Sequence, residues 1–261
     1  MTSSRPVTVE VVDGLARISL ARPAVANAVD LELARALRDA LVGTVDDAAV
    51  RVVLLRGEGR MFCGGGDVPA MAEAPDPGDF LAAMAALVHE GLSALDRLTT
   101  PVVCAVQGAA AGAGLALALA ADLVVAEESA VFVAGYPGIG LTPDCGMTFR
   151  LPRVVGEHRA MDLLLTNRRL TAGEALDWGM VNRVVPDGTV QDAAWSLARG
   201  LADGPAASLG VTRRLVRASA GTSYDEHLDL EAAEVKLAAR TAESQALVAA
   251  FARRAAGARQ R

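Results

Sequence analysis

The amino-acid sequence predicts an α/β protein in which strands and helices alternate, followed by a helical C-terminal region. Short β-branched runs alternate with amphipathic segments, and glycine-rich loops join the buried runs to helices. A strand, strand, helix unit recurs about three times, and the pattern becomes mostly helical after Met147. These observations predict a core domain over residues 1–200 and a helical region over residues 201–261.

The first hairpin and the first helix have clear local signals. Residues 7–12 and 16–20 alternate apolar and polar side chains around an Asp13-Gly14 turn, which predicts a β-hairpin. Asp30 is a good N-cap for a helix running to about residue 42. The predicted buried face of that helix carries Leu33, Leu37 and Leu41.

The middle of the chain predicts buried strands at 51–55 and 101–106, with an amphipathic helix at 79–98 between them. A glycine-rich loop follows each strand, and the second loop leads into an Ala/Leu helix from about Gly112. Short strands are predicted at 123–126, 130–133 and 180–185. The remaining predicted helices cover 171–178, 189–201, 206–219, 223–240 and 242–256, the first capped by Thr171 with Glu174.

The segment 102–121 is the one candidate membrane span, because it is long and its only strongly polar side chain is Gln107. Glycines at 108, 112 and 114 divide it into a β-branched half and an Ala/Leu half. We therefore interpret it as strand, loop and buried helix, and expect no membrane partner.

Composition restricts the class of protein. Hydrophobic residues make up 52% and aromatics 3%, so a large core built mainly of Ala, Val and Leu is expected. The net charge of −6 argues against nucleic acid as the main partner, because phosphate binding needs a basic surface. The sequence has one cationic cluster, which a solvated helix end would also explain. It comprises Arg253, Arg254, Arg259 and Arg261.

The cysteines Cys63, Cys104 and Cys145 are too few and too scattered for a disulfide framework or a zinc site. They fit a reducing compartment. Residues 1–7 have no basic region followed by an apolar stretch, so no signal peptide is visible. A cytoplasmic protein without a metal is the resulting expectation.

The two glycine-rich loops, residues 62–67 and 107–114, carry the chemical interpretation. Glycine lets the backbone approach a ligand closely, and a helix N-terminus presents unpaired N–H donors. Two such donors that converge on one oxygen form an oxyanion hole. Each loop alone is also explained by a tight turn, and neither has dinucleotide or P-loop spacing.

Together these loops and their flanking motifs resemble the enoyl-CoA hydratase/isomerase family, the crotonase superfamily. The family often shows F-C-A-G-A-D where this chain has F-C-G-G-G-D at 62–67. Its A-x-x-x-G-L-V segment resembles residues 175–181, with Met180 in place of Leu. Other matching segments are Arg22-Pro23, Asn27-Ala28, Gln107-Gly108 to Gly114, Ala121-Asp122, Phe132, Gly138 to Leu141, and Leu151 to Arg153 with Gly156.

The resemblance implies a crotonase-like spiral of repeated ββα units with a helical trimerisation region, in a homotrimer or hexamer. The implied substrate is an acyl-CoA thioester, with coenzyme A entering as part of the substrate and no separate cofactor. Gly66 and Ala113 would supply the two oxyanion N–H donors. The implied substrate-binding positions are Gly64, whose backbone would lie along the adenine, Gly65, Asp67, Ala26 and Tyr136, together with Phe251 and Arg253 on the final helix, often facing a neighbouring subunit.

The reaction depends on side chains that vary within the family. The two glutamates of the family's hydratases align with Ala116 and Tyr136, which disfavours ordinary hydration. Asp144, in L-T-P-D-C-G, resembles the isomerase branch, in which a single Asp moves a proton between carbons of an enoyl-CoA. An apolar pocket favours a carboxyl group that can take and return a proton, and the expected wall comprises Val133, Ile139, Leu141 and Met147.

Several alternatives remain open. Asp144 can simply shape the turn after Pro143. In the family's dehalogenase branch, a His corresponds to His89 and activates water, while an Asp corresponding to Asp144 is the nucleophile. This chain departs from that branch at Tyr136, where the branch has a tryptophan, and at Asp67, where the branch has an aromatic residue. His89 can also be a helix residue bonded to backbone, and Asp67 can fix its own loop.

A hydratase, a hydrolytic enzyme and a non-catalytic acyl-CoA binder are the other candidate functions. The segment from Asp67 to Phe80 and the helix from Gly112 are expected to line the acyl pocket.

Overall fold

The computed structural model describes residues 5–45 and 47–259, with backbone only for residues 256–259. The side chains of Arg259 and Arg261, part of the predicted cationic cluster, lie outside this description. The first four residues, on which the expectation of no signal peptide partly rests, also lie outside it.

Six strands form the main sheet, and three short strands form a second sheet. The main sheet comprises, in spatial order, β1 (Val7–Val12), β2 (Leu15–Leu20), β3 (Val52–Gly57), β4 (Val102–Val106), β6 (Leu123–Glu127) and β9 (Arg183–Val185). The second sheet comprises β5 (Ala109–Ala111), β7 (Val131–Val133) and β8 (Leu170–Thr171). Strands β1 and β2 pair antiparallel, as do β7 and β8, and every other pairing is parallel.

The helices pack on the sheets and dominate the C-terminal part of the chain. They are α1 (Leu31–Val45), α2 (Val68–Glu73), α3 (Pro77–Arg97), α4 (Ala113–Ala120), α5 (Met147–Val155), α6 (Glu157–Thr166), α7 (Ala172–Asp177), α8 (Val190–Ala202), α9 (Ala206–Ala218), α10 (Tyr224–Ala238) and α11 (Ala242–Arg259). Short 3-10 turns occur at Pro23–Val25, Tyr136–Ile139 and Ser219–Gly221.

The parallel strands of the main sheet are covered on both faces, which explains their continuous apolar runs. On one face, Leu54 and Val103 pack with Ala194 and Ala198 of α8. The opposite face belongs to the larger core, into which α1, α3 and α4 also send buried side chains. Successive residues of β3, β4 and β6 therefore pack alternately into the two cores.

The local signals of the sequence are confirmed at the first hairpin and at the helix starts. Asp13 and Gly14 have φ angles of 49° and 80°, as a tight turn requires. Asp30 accepts from the Leu33 amide at 2.8 Å and caps α1. Thr171 and Glu174 form the predicted capping box at α7.

The sequence did not predict β5, β8, α2 or the 3-10 turns, and it covered α5 and α6 only by the general helical pattern after Met147. Strand β5 consists of three alanines, which have weak strand preference, and it forms because β7 pairs with it. The predicted strand at 180–185 is only Arg183–Val185.

The candidate membrane span at 102–121 is divided among β4, β5 and α4, as the glycines indicated. Across the described ranges, no helix combines the length and apolar character that crossing a bilayer needs.

Helix α9 holds the C-terminal helices against the core. A Cβ on Gly210 of α9 would lie 1.6 Å from the carbonyl oxygen of Thr99, so the helix backbone touches the loop before β4. The domain boundary at residue 200 stays a prediction.

Candidate active site

The two glycine-rich loops lie side by side because their backbones pair. Cys63 and Ala110 form an isolated parallel bridge, in which the Cys63 amide donates to Ala109 at 3.1 Å and the Ala111 amide donates to Cys63 at 3.0 Å. Gly66 lies three residues after Cys63, and Ala113 lies three residues after Ala110. Both residues line one cavity.

The Gly66 and Ala113 amides are free to bind a ligand. Within the described residues, neither N–H donates to a protein acceptor. The backbone around Gly66 is nevertheless anchored, since the Val29 amide donates to Gly65 at 2.7 Å and the Asp67 amide donates to Val29 at 2.8 Å. Ala113 is the first residue of α4, where helix N–H groups lack an intrahelical acceptor.

The cavity beside these amides is largely apolar and measures about 140 Å³. An engineered protein cavity of about 150 Å³ admits benzene, so the space suits a small acyl or aryl group. Its polar or thiol-bearing side chains are Asp67, Tyr136, Asp144 and Cys145. The apolar lining comprises Val29, Val68, Met71, Leu81, Met84, Ala85, Val88, Ala111, Ala113, Ile139 and Leu141.

Asp144 lies on the cavity wall and is bonded to Tyr136. The Tyr136 hydroxyl donates to Oδ1 of Asp144 at 2.5 Å. Burial, followed by the neighbouring Cys145 and Asp144, raises the pKa of Tyr136 well above its usual range. The phenol is therefore a permanent donor at neutral pH.

The loop that presents Asp144 has an unusual backbone. Cys145 has a φ of 53° and Gly146 a φ of 73°, so two successive residues are left-handed. A non-glycine residue in this region is uncommon and costs about 1 kcal/mol or more. Burial also raises the pKa of the Cys145 thiol far above its usual range, which makes it a poor nucleophile.

His89 supports this loop from outside the cavity. It is exposed on α3, and its Nε2 accepts from the Cys145 amide at 3.2 Å, which requires a neutral imidazole with the proton on Nδ1. A ring nitrogen of His89, a carboxylate oxygen of Asp144 and Sγ of Cys145 lie within 4.8 Å of one another. The protonated thiol and the occupied Nε2 do not favour a metal at this cluster.

Asp67 is held in its own loop, as one sequence interpretation suggested. Its Oδ1 accepts from the Ala70 amide at 3.2 Å and caps α2. Its Oδ2 lies 3.2 Å from the Arg22 guanidinium, which also pairs with Asp30 at 2.9 Å. The charge of Asp67 is thus balanced, although the residue lines the cavity.

Other candidate residues lie away from the cavity lining. Ala26 is behind it, where its carbonyl accepts from the Gly64 amide at 2.8 Å. Phe251 and Arg253 are exposed on α11, and their substrate roles stay predictions. Two residues of the expected apolar wall, Val133 and Met147, are not among the lining residues.

The lining also contains residues that sequence reasoning missed. Leu81, Met84, Ala85 and Val88 recur at helical spacing on α3 and face the cavity. The spacing shows an inward face, but it does not distinguish a solid core from a cavity wall. Of the Ala/Leu helix α4, the first residue, Ala113, lines the cavity, and all of the helix is buried.

Comparisons with known proteins agree on one family. A family model described as enoyl-CoA hydratase/isomerase matches residues 10–257. The chain is 40% identical over 243 residues to 1,2-epoxyphenylacetyl-CoA isomerase of Escherichia coli strain K12, covering 91% of this chain and 92% of the relative. It is 34% identical over 235 residues to 4-chlorobenzoyl coenzyme A dehalogenase-2 of Arthrobacter sp., covering 89% of this chain and 85% of the relative.

The fold is shared with solved structures of the same description. A crystal structure from Mycobacterium abscessus, described with the words enoyl-CoA hydratase/isomerase, superposes with a TM-score of 0.92 at 35% identity. The match covers 95% of this chain and 96% of that one.

Proposed function

The chain belongs to the enoyl-CoA hydratase/isomerase family, with the predicted crotonase-like fold confirmed, and we propose that it moves the double bond of an enoyl-CoA by proton transfer through Asp144. As a member of this family it is an acyl-CoA enzyme. The reaction and the residues that perform it are the proposal.

The first part of the mechanism is stabilisation of an enolate. Gly66 and Ala113 both line the cavity, and among the described residues their amides donate to no acceptor. A thioester oxygen bound between the two amides would receive two N–H donors. Negative charge develops on that oxygen when the α-proton leaves. Donors aimed at this charge lower the barrier, and they do so more strongly in apolar surroundings than in water.

The observation that carries the proposal is the state of the two carboxylates on the cavity wall. Asp67 is bonded to the Ala70 amide and paired with Arg22. Among the residues that the structure describes, no arginine or lysine pairs with Asp144, which is bonded to the neutral hydroxyl of Tyr136. Asp144 is therefore the carboxylate available to accept a proton from one carbon and return it to another.

The 40% identity to a protein named as an isomerase supports this assignment, and the substrate in that name is an acyl-CoA whose acyl group carries a six-membered ring. The cavity of about 140 Å³ is compatible with a ring of that size. Ala116 is buried within α4, and Tyr136 carries a phenol, so neither position offers the second carboxylate that hydration would use.

Replacing Asp144 by Asn tests the proposal. We expect kcat for isomerisation to fall by about 10²- to 10⁴-fold, because general acid–base catalysis is lost, while acyl-CoA binding persists. Turnover of a panel of enoyl-CoA substrates and binding of an unreactive acyl-CoA are the two measurements. Asp225→Asn, on exposed α10, is the matched control and should leave both unchanged. Full activity of Asp144→Asn would refute the proposal.

A second candidate is hydrolysis through an ester on Asp144, with His89 as the base. It is favoured by the proximity of His89 to Asp144 and by the 34% identical dehalogenase. Against it, Nε2 of His89 is already occupied by the Cys145 amide. A single turnover in heavy-oxygen water distinguishes the two, since the isomerase leaves Asp144 unlabelled and the ester pathway labels it. Crotonyl-CoA hydration would indicate a hydratase instead, and binding without any turnover would indicate a non-catalytic binder.

A further inference from the structure

We propose that Tyr136 is a positioning residue that holds Oδ1 of Asp144 and leaves Oδ2 as the oxygen that moves the proton. This inference rests on the proposed role of Asp144. It assigns Tyr136 a part in the chemistry rather than only in lining the substrate pocket.

The contact between the two side chains is short and lies on the cavity wall. The Tyr136 hydroxyl is 2.5 Å from Oδ1 of Asp144, and both residues line the cavity. Within the described residues, this hydroxyl is the one N–H or O–H group that donates to the carboxylate. A hydrogen bond to an ionised acceptor is stronger than a neutral one, so it restrains the carboxylate firmly.

The backbone fixes where the phenol can reach. Tyr136 begins a 3-10 turn, and its carbonyl accepts from the Leu141 amide at 3.0 Å. The preceding residue, Gly135, is held by the side chain of Asn167 at 2.8 Å. The hydroxyl is therefore presented from a rigid base.

The backbone of Asp144 is fixed separately. Its carbonyl accepts from the Met147 amide at 3.0 Å, and the next amide, that of Cys145, donates to His89. With both backbones held, rotation of the carboxylate is the remaining freedom, and the Tyr136 hydroxyl removes it. Oδ2 accepts from no N–H or O–H group of the described residues, and it is the oxygen that the inference assigns to the substrate.

The path of the proton follows from this arrangement. Oδ2 takes the proton as the substrate C–H bond breaks, and the electron pair moves to the thioester oxygen at the Gly66 and Ala113 amides. The same proton then returns to the γ-carbon as the electrons move back and the double bond re-forms. Tyr136 stays protonated throughout, because burial first, and then Cys145 and Asp144, raise its pKa.

The other titratable groups around the pair are few in the described structure. Cys145 is adjacent in sequence, and its buried thiol stays neutral because burial raises its pKa. His89 approaches from α3, and Asp67 lines the same cavity but is paired with Arg22. The Tyr136 hydroxyl is thus the donor whose loss should change the pH dependence.

Tyr136→Phe removes the hydroxyl and keeps the ring. We expect kcat to fall by about 10- to 100-fold with KM little changed, since a hydrogen bond to a charged group is lost. The acidic limb of the pH–rate profile should move to higher pH, because a donor that favours the ionised carboxylate is gone. Tyr224→Phe, at the exposed second tyrosine of the chain, should change neither.

A spectroscopic measurement tests the contact between Tyr136 and Asp144 without relying on enzyme activity. The chain has two tyrosines, so protein carrying [4-¹³C]tyrosine gives two ring-carbon signals, assigned with the two Phe variants. Asp144→Ala should shift the Tyr136 signal and leave that of Tyr224 in place. A Tyr136 signal indifferent to Asp144→Ala would overturn the inference, as would a Tyr136→Phe enzyme with unchanged kcat and pH profile. If Asp144→Asn is itself fully active, the proposed function fails first, which separates the two failures.

Discussion

Gly114, the second residue of α4, shows how one missing Cβ brings the two site loops together. A Cβ at this position would lie 2.5 Å from the carbonyl oxygen and 2.7 Å from Cβ of Cys63. Such contacts cannot be accommodated without moving the backbone of one loop. Because Cys63 also pairs with Ala110, a shift there would separate the amides of Gly66 and Ala113.

Gly114→Ala therefore tests the close approach of the loops. We expect the free energy of unfolding to fall by about 1–3 kcal/mol from overpacking, and kcat to fall because a shift of either loop changes the distance between the two amides. Gly200→Ala on α8 is the matched control, since nothing lies within 4 Å of its Cβ position. That control should gain about 0.4–1 kcal/mol, by restricting the unfolded chain. Urea denaturation and turnover measure both effects, and equal stability of the two variants would contradict the argument.

At the scale of elements, α9 holds the C-terminus of α3, the helix that carries His89 and four cavity residues. Arg213 of α9 donates to the carbonyls of Leu95, Asp96 and Leu98, which end α3. It also pairs with Asp122 at 2.6 Å, and its side chain is 4% exposed. One buried guanidinium thus satisfies carbonyl groups that a helix end leaves unpaired.

Arg213→Ala should destabilise the protein by about 3–5 kcal/mol, because Asp122 and the α3 carbonyls lose a buried partner. Arg214→Ala is the control, since Arg214 is half exposed and its one ion-pair partner among the described side chains is Glu234, at 2.8 Å. Its cost should stay below about 1 kcal/mol. Thermal or urea unfolding of both variants provides the comparison, and a similar cost for the two would contradict the assigned role.

At the scale of the whole molecule, the terminal helices leave large apolar side chains uncovered. The exposed ones include Val216, Tyr224, Val235, Leu237, Val248 and Phe251. Apolar surface of this extent is typical of an association face. Phe251 and Arg253 do not reach the cavity of their own chain, which is compatible with contact across a subunit boundary.

The predicted trimer or hexamer has a direct test. Light scattering should give a mass about three or six times the 26.8 kDa of the chain, because association covers these side chains. Val235→Asp should lower that mass or make it depend on concentration if α10 lies in the interface. A monomeric mass at all concentrations would exclude the predicted assembly.

Local signals account for the parts that could be predicted from the sequence. The Asp13-Gly14 turn, the Asp30 cap and the Thr171 capping box each depend on residues within a few positions of one another. The two glycine loops and Asp144 were also recognisable as motifs. The alanine strand β5 was not, because its pairing with β7 and not its own preference forms it.

The sequence alone determined the order of the main elements, the resemblance to the family and the groups that the chemistry needs: two glycine-rich loops, a carboxylate and a phenol. Only the tertiary structure decided which of them meet. The bridge between Cys63 and Ala110 brings Gly66 and Ala113 to one cavity, and the Tyr136 hydroxyl donates a hydrogen bond to Oδ1 of Asp144. Such contacts depend on the three-dimensional path of the backbone, and the spacing of residues in the sequence does not specify that path.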